Sequence, residues 1–425
     1  MKIHILAICG KMVAPLAIAL KKQGHTITGS DQEKIYPPFS TTLSKAKIPI
    51  NKPHPKPNLY IIGSAFKNQN KLVAEFEIIK NSNIPYISAT QYIAKNLIKT
   101  NSILVAGSYG KSSISAMLAH LFKNTKYNPS YLFAAEPLNK FLPLTFTDSD
   151  WSICEADESI NGLDIKAKFL YYPVKYLILT SAQWEHKESY ATEQDNFNAF
   201  KKLIEKLPVD GLLIYNQLDT SITSLLKFAK CKVTPYTSEK INHPFLFGPS
   251  FDNNFAAVKI LCDYLHVSTH KILKFRGLVD RLQIVANRNN ILFISDFAQS
   301  APRIKTTIDA IKTKYPHRKI YVILEPHAGF LQYKISITEL SNSLNDVSQI
   351  FLSKISFSKK NDKTTRISFA DYKTIFNDKI SYLPIIQDLI TTVTSTLKSS
   401  DILVRFSSGG LDGQKAFQKI INFFK

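Results

Sequence analysis

Short apolar runs alternate along the chain with longer stretches whose apolar positions recur every three or four residues. This alternation of strand and amphipathic-helix patterns predicts α/β layers built on parallel sheets. Residues 3–8 read as a first strand, Cys9-Gly10 as a turn, and the stretch to Lys22 as a helix. A second strand at 26–28 ends in Gly29-Ser30-Asp31, and a third at 60–62 runs into Gly63-Ser64-Ala65. The polar stretch 95–102 before a strand at 103–106 sets a first domain, 1–98. Strands at 152–154, 176–180 and 211–215 belong to a second, 99–286. Asn287-Arg288-Asn289-Asn290 reads as a turn into a third, 287–425, with strands at 291–295, 320–324, 349–352 and 402–406. In the last helix Phe417, Ile420, Ile421 and Phe424 share one face, the stripe of a core-packing helix.

Composition narrows the class. A chain of 425 residues suits two or three domains at about 150 residues each. A hydrophobic fraction of 44% with 20% charged residues excludes global disorder. Cys9, Cys154, Cys231 and Cys262 lie far apart with no C-x-x-C pair, which excludes a disulfide framework and a cysteine-built zinc site. The net charge of +21 suits an anionic nucleotide. The lysines are dispersed without a long basic block, and no aromatic–basic stripe accompanies them, so no nucleic-acid partner is expected. His4 and Lys11 interrupt the apolar N-terminus, and no apolar run is long enough to span a bilayer. The expectation is a soluble cytoplasmic protein without a membrane partner.

Three motifs carry chemistry. Gly107-Ser108-Tyr109-Gly110-Lys111-Ser112-Ser113 follows an apolar strand and precedes a helix with apolar Ile114, Met117, Leu118, Leu121 and Phe122. Strand, glycine loop, Lys-Ser and helix suit phosphate binding: backbone N–H groups hold the oxyanions, Lys111 reaches the outer phosphates, and Ser112 suits Mg²⁺. Val105 stands where the usual G-x-x-x-x-G-K-[ST] has its first glycine, so a chance glycine turn is the competing reading. Cys154-Glu155-Ala156-Asp157-Glu158-Ser159 ends the next apolar strand, where Glu155 offers a second hard oxygen for Mg²⁺. A solvated acidic loop has the same composition. Trp184-Glu185-His186 follows the strand at 176–180, and a lone histidine there suits structure as well as a metal. Only the order of the three favours a site.

The phosphate loop, the E-A-D-E run and the acid-His pair together resemble the Mur ligases, ATP-dependent amide-forming enzymes of peptidoglycan synthesis. Residues 3–10, 24–31, 36–43, 84–96 and 168–179 are most similar to the branch that adds a L-Ala-γ-D-Glu-meso-diaminopimelate tripeptide. The likeness spans the chain and is weaker in the third region. It implies a three-domain α/β fold, with Rossmann-like N- and C-terminal domains around a central P-loop domain. It also implies ATP, Mg²⁺, UDP-N-acetylmuramate and an amino-acid or peptide amine as ligands. Gly10, Ser30, Asp31 and Ser64 match the nucleotide-sugar end. Gly107, Ser108, Gly110, Lys111, Ser112 and Ser113 match the ATP loop, Glu155 and His186 the Mg²⁺ ligands, and Asn254 the adenine side. Arg281 matches the arginine that closes the central domain, and Asp296 the third-domain aspartate that faces ATP. Lys111, Glu155, His186 and Asp296 thereby become the catalytic candidates, with the third domain closing over a water-sensitive acyl phosphate.

The chain also departs from the family pattern. Ala7 replaces the first glycine of G-I-C-G, and Ser181 and Glu185 stand in N-x-E-x-D-H. Asp280 replaces the first arginine of a pair, and Gln299 a histidine after D-[FY]-A. Ser250 and Phe251 replace the His-Asn of H-N-x-x-N, which predicts apolar or stacking contact with the base and weak discrimination of ATP from GTP. Three alternatives stay open: an L-alanine-adding ligase, a non-catalytic UDP-sugar-binding homologue, and a P-loop ATPase acting on nucleic acid. A dinucleotide-binding oxidoreductase is weaker, since residues 7–12 fail G-x-G-x-x-G.

Overall fold

The computed structural model describes residues 1–33, 35, 39–52, 56–184, 189–298, 300–326, 333–334, 337–355, 366–407 and 411–424. The fold is α/β on three sheets. Strands β1 (Lys2–Leu6), β2 (Thr26–Ser30), β3 (Leu59–Ile62) and β4 (Tyr86–Ser88) form a parallel sheet in the order β2-β1-β3-β4. The second sheet contains β5 (Asn101–Ala106), β6 (Ser130–Leu132), β7 (Leu144–Thr145), β8 (Trp151–Glu155), β9 (Tyr176–Leu179), β10 (Leu212–Asn216) and β11 (Lys232–Tyr236). Its order is β11-β10-β9-β5-β8-β6-β7, and only the β6–β7 pair is antiparallel. The third contains β12 (Gln283–Arg288), β13 (Ile291–Asp296), β14 (Ile320–Glu325), β15 (Gln349–Leu352), β16 (Ile380–Tyr382) and β17 (Ile402–Ser407). It is ordered β12-β13-β17-β14-β15-β16, antiparallel only at β12–β13.

Every strand named from the sequence is present, with ends moved by a residue or two. Central parallel strands are covered on both faces, so they read as unbroken apolar runs such as Ile103–Ala106, all fully buried. Strands β4, β6, β7 and β16, of three residues or fewer, and the half-exposed edge strands β11 and β12 lack that signature and escape notice. The turn at 287–290 is a hairpin rather than the entry to the third sheet. Asn289 and Asn290 adopt φ of 48° and 62°, the mirror-image two-residue turn that joins β12 to β13. The third sheet therefore begins before it.

Contacts gather the chain into two compact units, Met1–Ile241 with Asp252–Arg276, and Asn242–Phe251 with Gly277–Lys425. In the first, one continuous core runs from Ile3, Ile5 and Leu20 to Leu104, Leu177 and Leu213, so the first two sheets share it. In the second, alternate residues of the third sheet serve opposite faces. Leu292, Val322 and Val404 meet the helices Ala301–Lys314, Ile337–Leu344 and Phe369–Phe376. Phe293, Ile323 and Leu403 meet Ile386–Thr396 and Leu411–Phe423. The predicted stripe of Phe417, Ile420, Ile421 and Phe424 lies in that second layer. Among the described residues no helix is long and apolar enough to cross a membrane.

Candidate functional site

In the second sheet β5 lies between β8 and β9; the chain runs from β5 to β6 on one side and from β9 to β10 on the other. Such a switch point opens a crevice at the carboxyl ends of the strands. The glycine loop after β5, the acidic run after β8 and the segment after β9 meet there. Gly107 has φ of 114°, and a Cβ on it would stand 2.5 Å from the backbone of Ser181. Gly110 caps the helix Lys111–Phe122 in the left-handed region, and a Cβ there would collide with the side-chain oxygen of Asn254. Neither position tolerates a side chain. The Thr180 hydroxyl lies 2.5 Å from the Tyr109 carbonyl and 3.1 Å from that of Ala106, which fastens the loop to β9. Ser108 donates to the Gln183 carbonyl at 3.3 Å, and Ser113 lies in the first helical turn.

The helix start carries the charges. Lys111 Nζ donates to Glu158 at 2.8 and 3.0 Å and to the Gly107 carbonyl at 2.6 Å. Burial alone would lower the lysine pKa, but the carboxylates of Glu158, Asp157 and Glu155 outweigh it and hold the ammonium above its ordinary value. Ser112 Oγ donates to Glu155 Oε2 at 2.7 Å, and the same oxygen accepts the Ala134 N–H at 2.8 Å. Asp157 would be raised by burial, yet Lys168 at 2.7 Å and then Lys111 hold it well below the usual carboxylate range. Glu158 was legible only as the second glutamate of E-A-D-E; its partnership with Lys111 is a product of the fold. The roles of Thr180 and Lys168 had no sequence signal at all. Glu185 and His186 lie outside the described residues. Among the described residues no three His, Cys, Asp or Glu side chains gather as a metal cluster.

The four candidates of the first sheet also converge on a switch point, between β1 and β3. Asp31 Oδ2 accepts the Cys9 N–H at 2.7 Å, which closes the turn before Gly10, and Asn51 Oδ1 accepts the Asp31 N–H at 3.0 Å. Burial and then the Asp31 carboxylate push the Cys9 thiol up to about 12. Ala7 takes φ of 56°, a conformation that suits the glycine the family pattern has there. Its methyl packs with Leu6, Ile62 and Phe66. The Ser30 hydroxyl donates to Glu75 at 2.6 Å, and His4 bonds the same carboxylate at 3.2 Å, so this hydroxyl is engaged within the fold. Ser64 follows β3 and touches Gly162, whose Cβ would stand 2.9 Å from the Ser64 backbone. The loop after Glu158 thus links the two crevices inside one unit.

Arg281 and Asp296 form a cluster of their own in the second unit. The Leu282 N–H donates to Asp296 at 2.6 Å, and the Arg281 guanidinium lies 4.7 Å from the centre of the Phe297 ring. Burial raises the Asp296 carboxyl to about 6, against the opposing pull of Arg281 and the Leu282 N–H. One expectation is corrected. Phe251 is only 9% exposed, and its ring meets His243 edge-on at 5.1 Å, so it is core packing and not a platform for a base.

Comparison with known proteins bears on this arrangement. Residues 2–99 match the Mur ligase family, catalytic domain, and residues 105–244 the Mur ligase middle domain, together more than half the chain. The chain is 26% identical over 394 residues to UDP-N-acetylmuramate–L-alanyl-γ-D-glutamyl-meso-2,6-diaminoheptandioate ligase of Escherichia coli, covering 83% of this chain and 84% of that one. It is 25% identical over 450 residues to UDP-N-acetylmuramate–L-alanine ligase of Clostridium acetobutylicum, covering 96% and 95%. Among solved structures, a murein peptide ligase from Psychrobacter arcticus aligns with a TM-score of 0.68 at 22% identity over 99% of this chain and 98% of that one. UDP-N-acetylmuramate–alanine ligase from Thermotoga maritima aligns with 0.75 at 18% identity over 100% and 99%. At these identities the structural likeness carries the fold alone.

Proposed function

The chain belongs to the Mur ligase family of ATP-dependent amide-bond-forming enzymes, and we propose that it joins UDP-N-acetylmuramate to the L-alanyl-γ-D-glutamyl-meso-diaminopimelate tripeptide. One observation carries the chemistry. A glycine loop that excludes side chains, a buried lysine and a Ser-Glu pair meet at the carboxyl ends of adjacent strands. The substrate assignment rests on the similarity to the Escherichia coli ligase.

The residues present fit Mg²⁺. Ser112 Oγ and Glu155 Oε2 supply two hard oxygens 2.7 Å apart, and Mg²⁺ usually keeps several waters beside one or two protein ligands. When bound, the ion offsets charge on the phosphate oxygens. His186 is the further ligand that the family pattern suggests. A carboxylate is a poor electrophile, so the lactyl carboxylate is activated by the terminal phosphoryl group of ATP and the amine then displaces phosphate. In this reading the N–H groups at the start of Lys111–Phe122 hold the phosphates, and the Lys111 ammonium exchanges Glu158 for them. The turn at Gly10 and Ser64 receives the nucleotide sugar. Asn254 lies beside Gly110 on the nucleotide side of the loop, and the family pattern assigns Arg281 and Asp296 to the nucleotide. Replacement of Glu155 by Gln should raise the Mg²⁺ concentration required for turnover; an unchanged titration would remove Glu155 from the ion.

The similarity to the Clostridium ligase favours a second reading, L-alanine as the amine. Phosphate release with ATP, Mg²⁺ and UDP-N-acetylmuramate against a panel of amines separates the two. The tripeptide should exceed L-alanine in kcat/KM by about 100-fold or more. Preference for L-alanine installs the second reading. No amine-dependent release in folded protein that binds UDP-N-acetylmuramate points to a non-catalytic homologue.

A further inference from the structure

The second unit contains a buried polar chain that the preceding assignment does not use. Arg405 lies on the central strand β17 at 3% exposure, and Glu325 ends the neighbouring β14 at 1%. Arg405 grips Glu325 Oε2 through Nε at 3.0 Å and Nη2 at 2.9 Å. Its Nη1 reaches Ser295 Oγ at 3.4 Å, and that hydroxyl donates to Asp280 Oδ1 at 2.5 Å. Ser295 and Arg405 are register partners on adjacent parallel strands, so one face of the sheet bears the whole chain. Gly413, in the first turn of Leu411–Phe423, leaves no room for a Cβ beside Glu325. The pair is clamped.

The chain ends on a strained turn. Asp280 and Leu282, on either side of Arg281, take φ of 54° and 42°, a region that L-residues occupy only when their surroundings over-determine it. The surroundings here are specific. The Asp280 carbonyl accepts the Phe297 N–H at 2.8 Å, its N–H donates to Gln283 at 3.0 Å, and its carboxylate accepts the Ser295 hydroxyl. On the other side, the Leu282 N–H is held by Asp296. An arginine at position 280, as in the family pattern, offers no acceptor to Ser295.

We propose that Asp280, Ser295, Arg405 and Glu325 are positioning residues, which hold the turn that carries Arg281 and Asp296, the two residues the ligase reading assigns to the nucleotide. The first half concerns the fold alone; the second rests on the ligase reading. Ser295→Ala cuts the chain without stranding a buried charge, and Glu325→Gln with Arg405→Met removes the ion pair as a unit. Asp280→Asn keeps an acceptor for the Ser295 hydroxyl and is the conservative control. Hydrogen exchange is measured on the intact protein at the Leu282 and Phe297 amides, with amides of β1 in the first unit as reference. Loss of one hydrogen bond corresponds to about tenfold. Both turn amides should exchange about that much faster in Ser295→Ala and in the double variant, with the reference amides unchanged and Asp280→Asn close to wild type. Kinetics on the same proteins should show a KM for ATP raised about tenfold with the affinity for UDP-N-acetylmuramate unchanged. Unchanged exchange at the turn overturns the proposal whether or not the protein turns over. Faster exchange with an unchanged KM for ATP overturns the positioning role. Wild-type protein without any turnover refutes the ligase reading instead, and the exchange result still decides what holds the turn.

Discussion

Lys111 illustrates how a residue's role depends on what it neutralises. The motif assigns it to phosphate, but in the fold it also compensates Glu158, whose side chain is only 3% exposed. Lys111→Ala should therefore lose two things at once. Amide formation should fall at least about 100-fold, the scale of losing one group that stabilises transition-state charge. Stability should fall by about 3–5 kcal/mol, because a buried carboxylate is left alone. Adding Glu158→Gln should restore stability and not activity, with UDP-sugar binding intact throughout; calorimetry and denaturation separate these effects. Asp296 shows the opposite balance. Its folded pKa of about 6 lies above the ordinary carboxylate value, so its ionised form costs stability above about pH 6 and the cost disappears as pH falls below about 4. Asp296→Asn should thus stabilise the protein at pH 8 by about 1–3 kcal/mol and have little effect at pH 4. Equal effects at both pH values in urea titrations would contradict the assignment.

At the scale of elements, the site is made by strand ends. The glycine loop is a sharp turn because Gly107 must approach Ser181 and Gly110 must approach Asn254. The helix Pro249–Tyr264 contributes through Asn254, while its first turn buries Phe251 against His243. Substitution Phe251→Asn should consequently cost about 3–5 kcal/mol, as for truncation of a core aromatic, and leave the ratio of ATP to GTP turnover unchanged. A sharper preference for ATP in a variant of wild-type stability would return Phe251 to the base. The E-A-D-E run divides its labour by position: Glu155 ends β8 beside Ser112, and Glu158 reaches Lys111. Sequence patterns announced the motifs, since each follows an apolar strand. They were silent on Thr180 and Asn51, ordinary polar residues whose partners lie far away in the chain, and on Lys168, which folds back on Asp157 and Ser159 of the preceding loop.

The described residues gather into two compact units. Compact units of one chain need not unfold together. Both tryptophans, Trp151 and Trp184, lie in the first unit, so their fluorescence reports on that unit while far-UV circular dichroism reports on both. Urea titrations followed by the two signals should give midpoints that differ, and coincident curves would mean a single cooperative unit. The charge of +21 belongs at this scale as well. It suits anionic substrates such as nucleotides and nucleotide sugars, and dispersal of the lysines leaves no basic block for a nucleic acid.

The sequence by itself determined the α/β class, the central strands and the three motifs. Covered parallel strands must be continuously apolar, and phosphate loops must carry glycine where a side chain would collide. The resemblance of these motifs was enough to identify the family. Tertiary structure alone decided which charges meet. It paired Lys111 with Glu158 and Asp280 with Ser295, engaged Ser30 with Glu75, and turned Phe251 into the core. It also gave the segment before residue 287 to the third sheet, through a hairpin that two asparagines permit. The physical reason is common to all of them. Periodicity records how buried each position is, whereas a hydrogen bond or ion pair depends on a partner whose distance along the chain leaves no local trace.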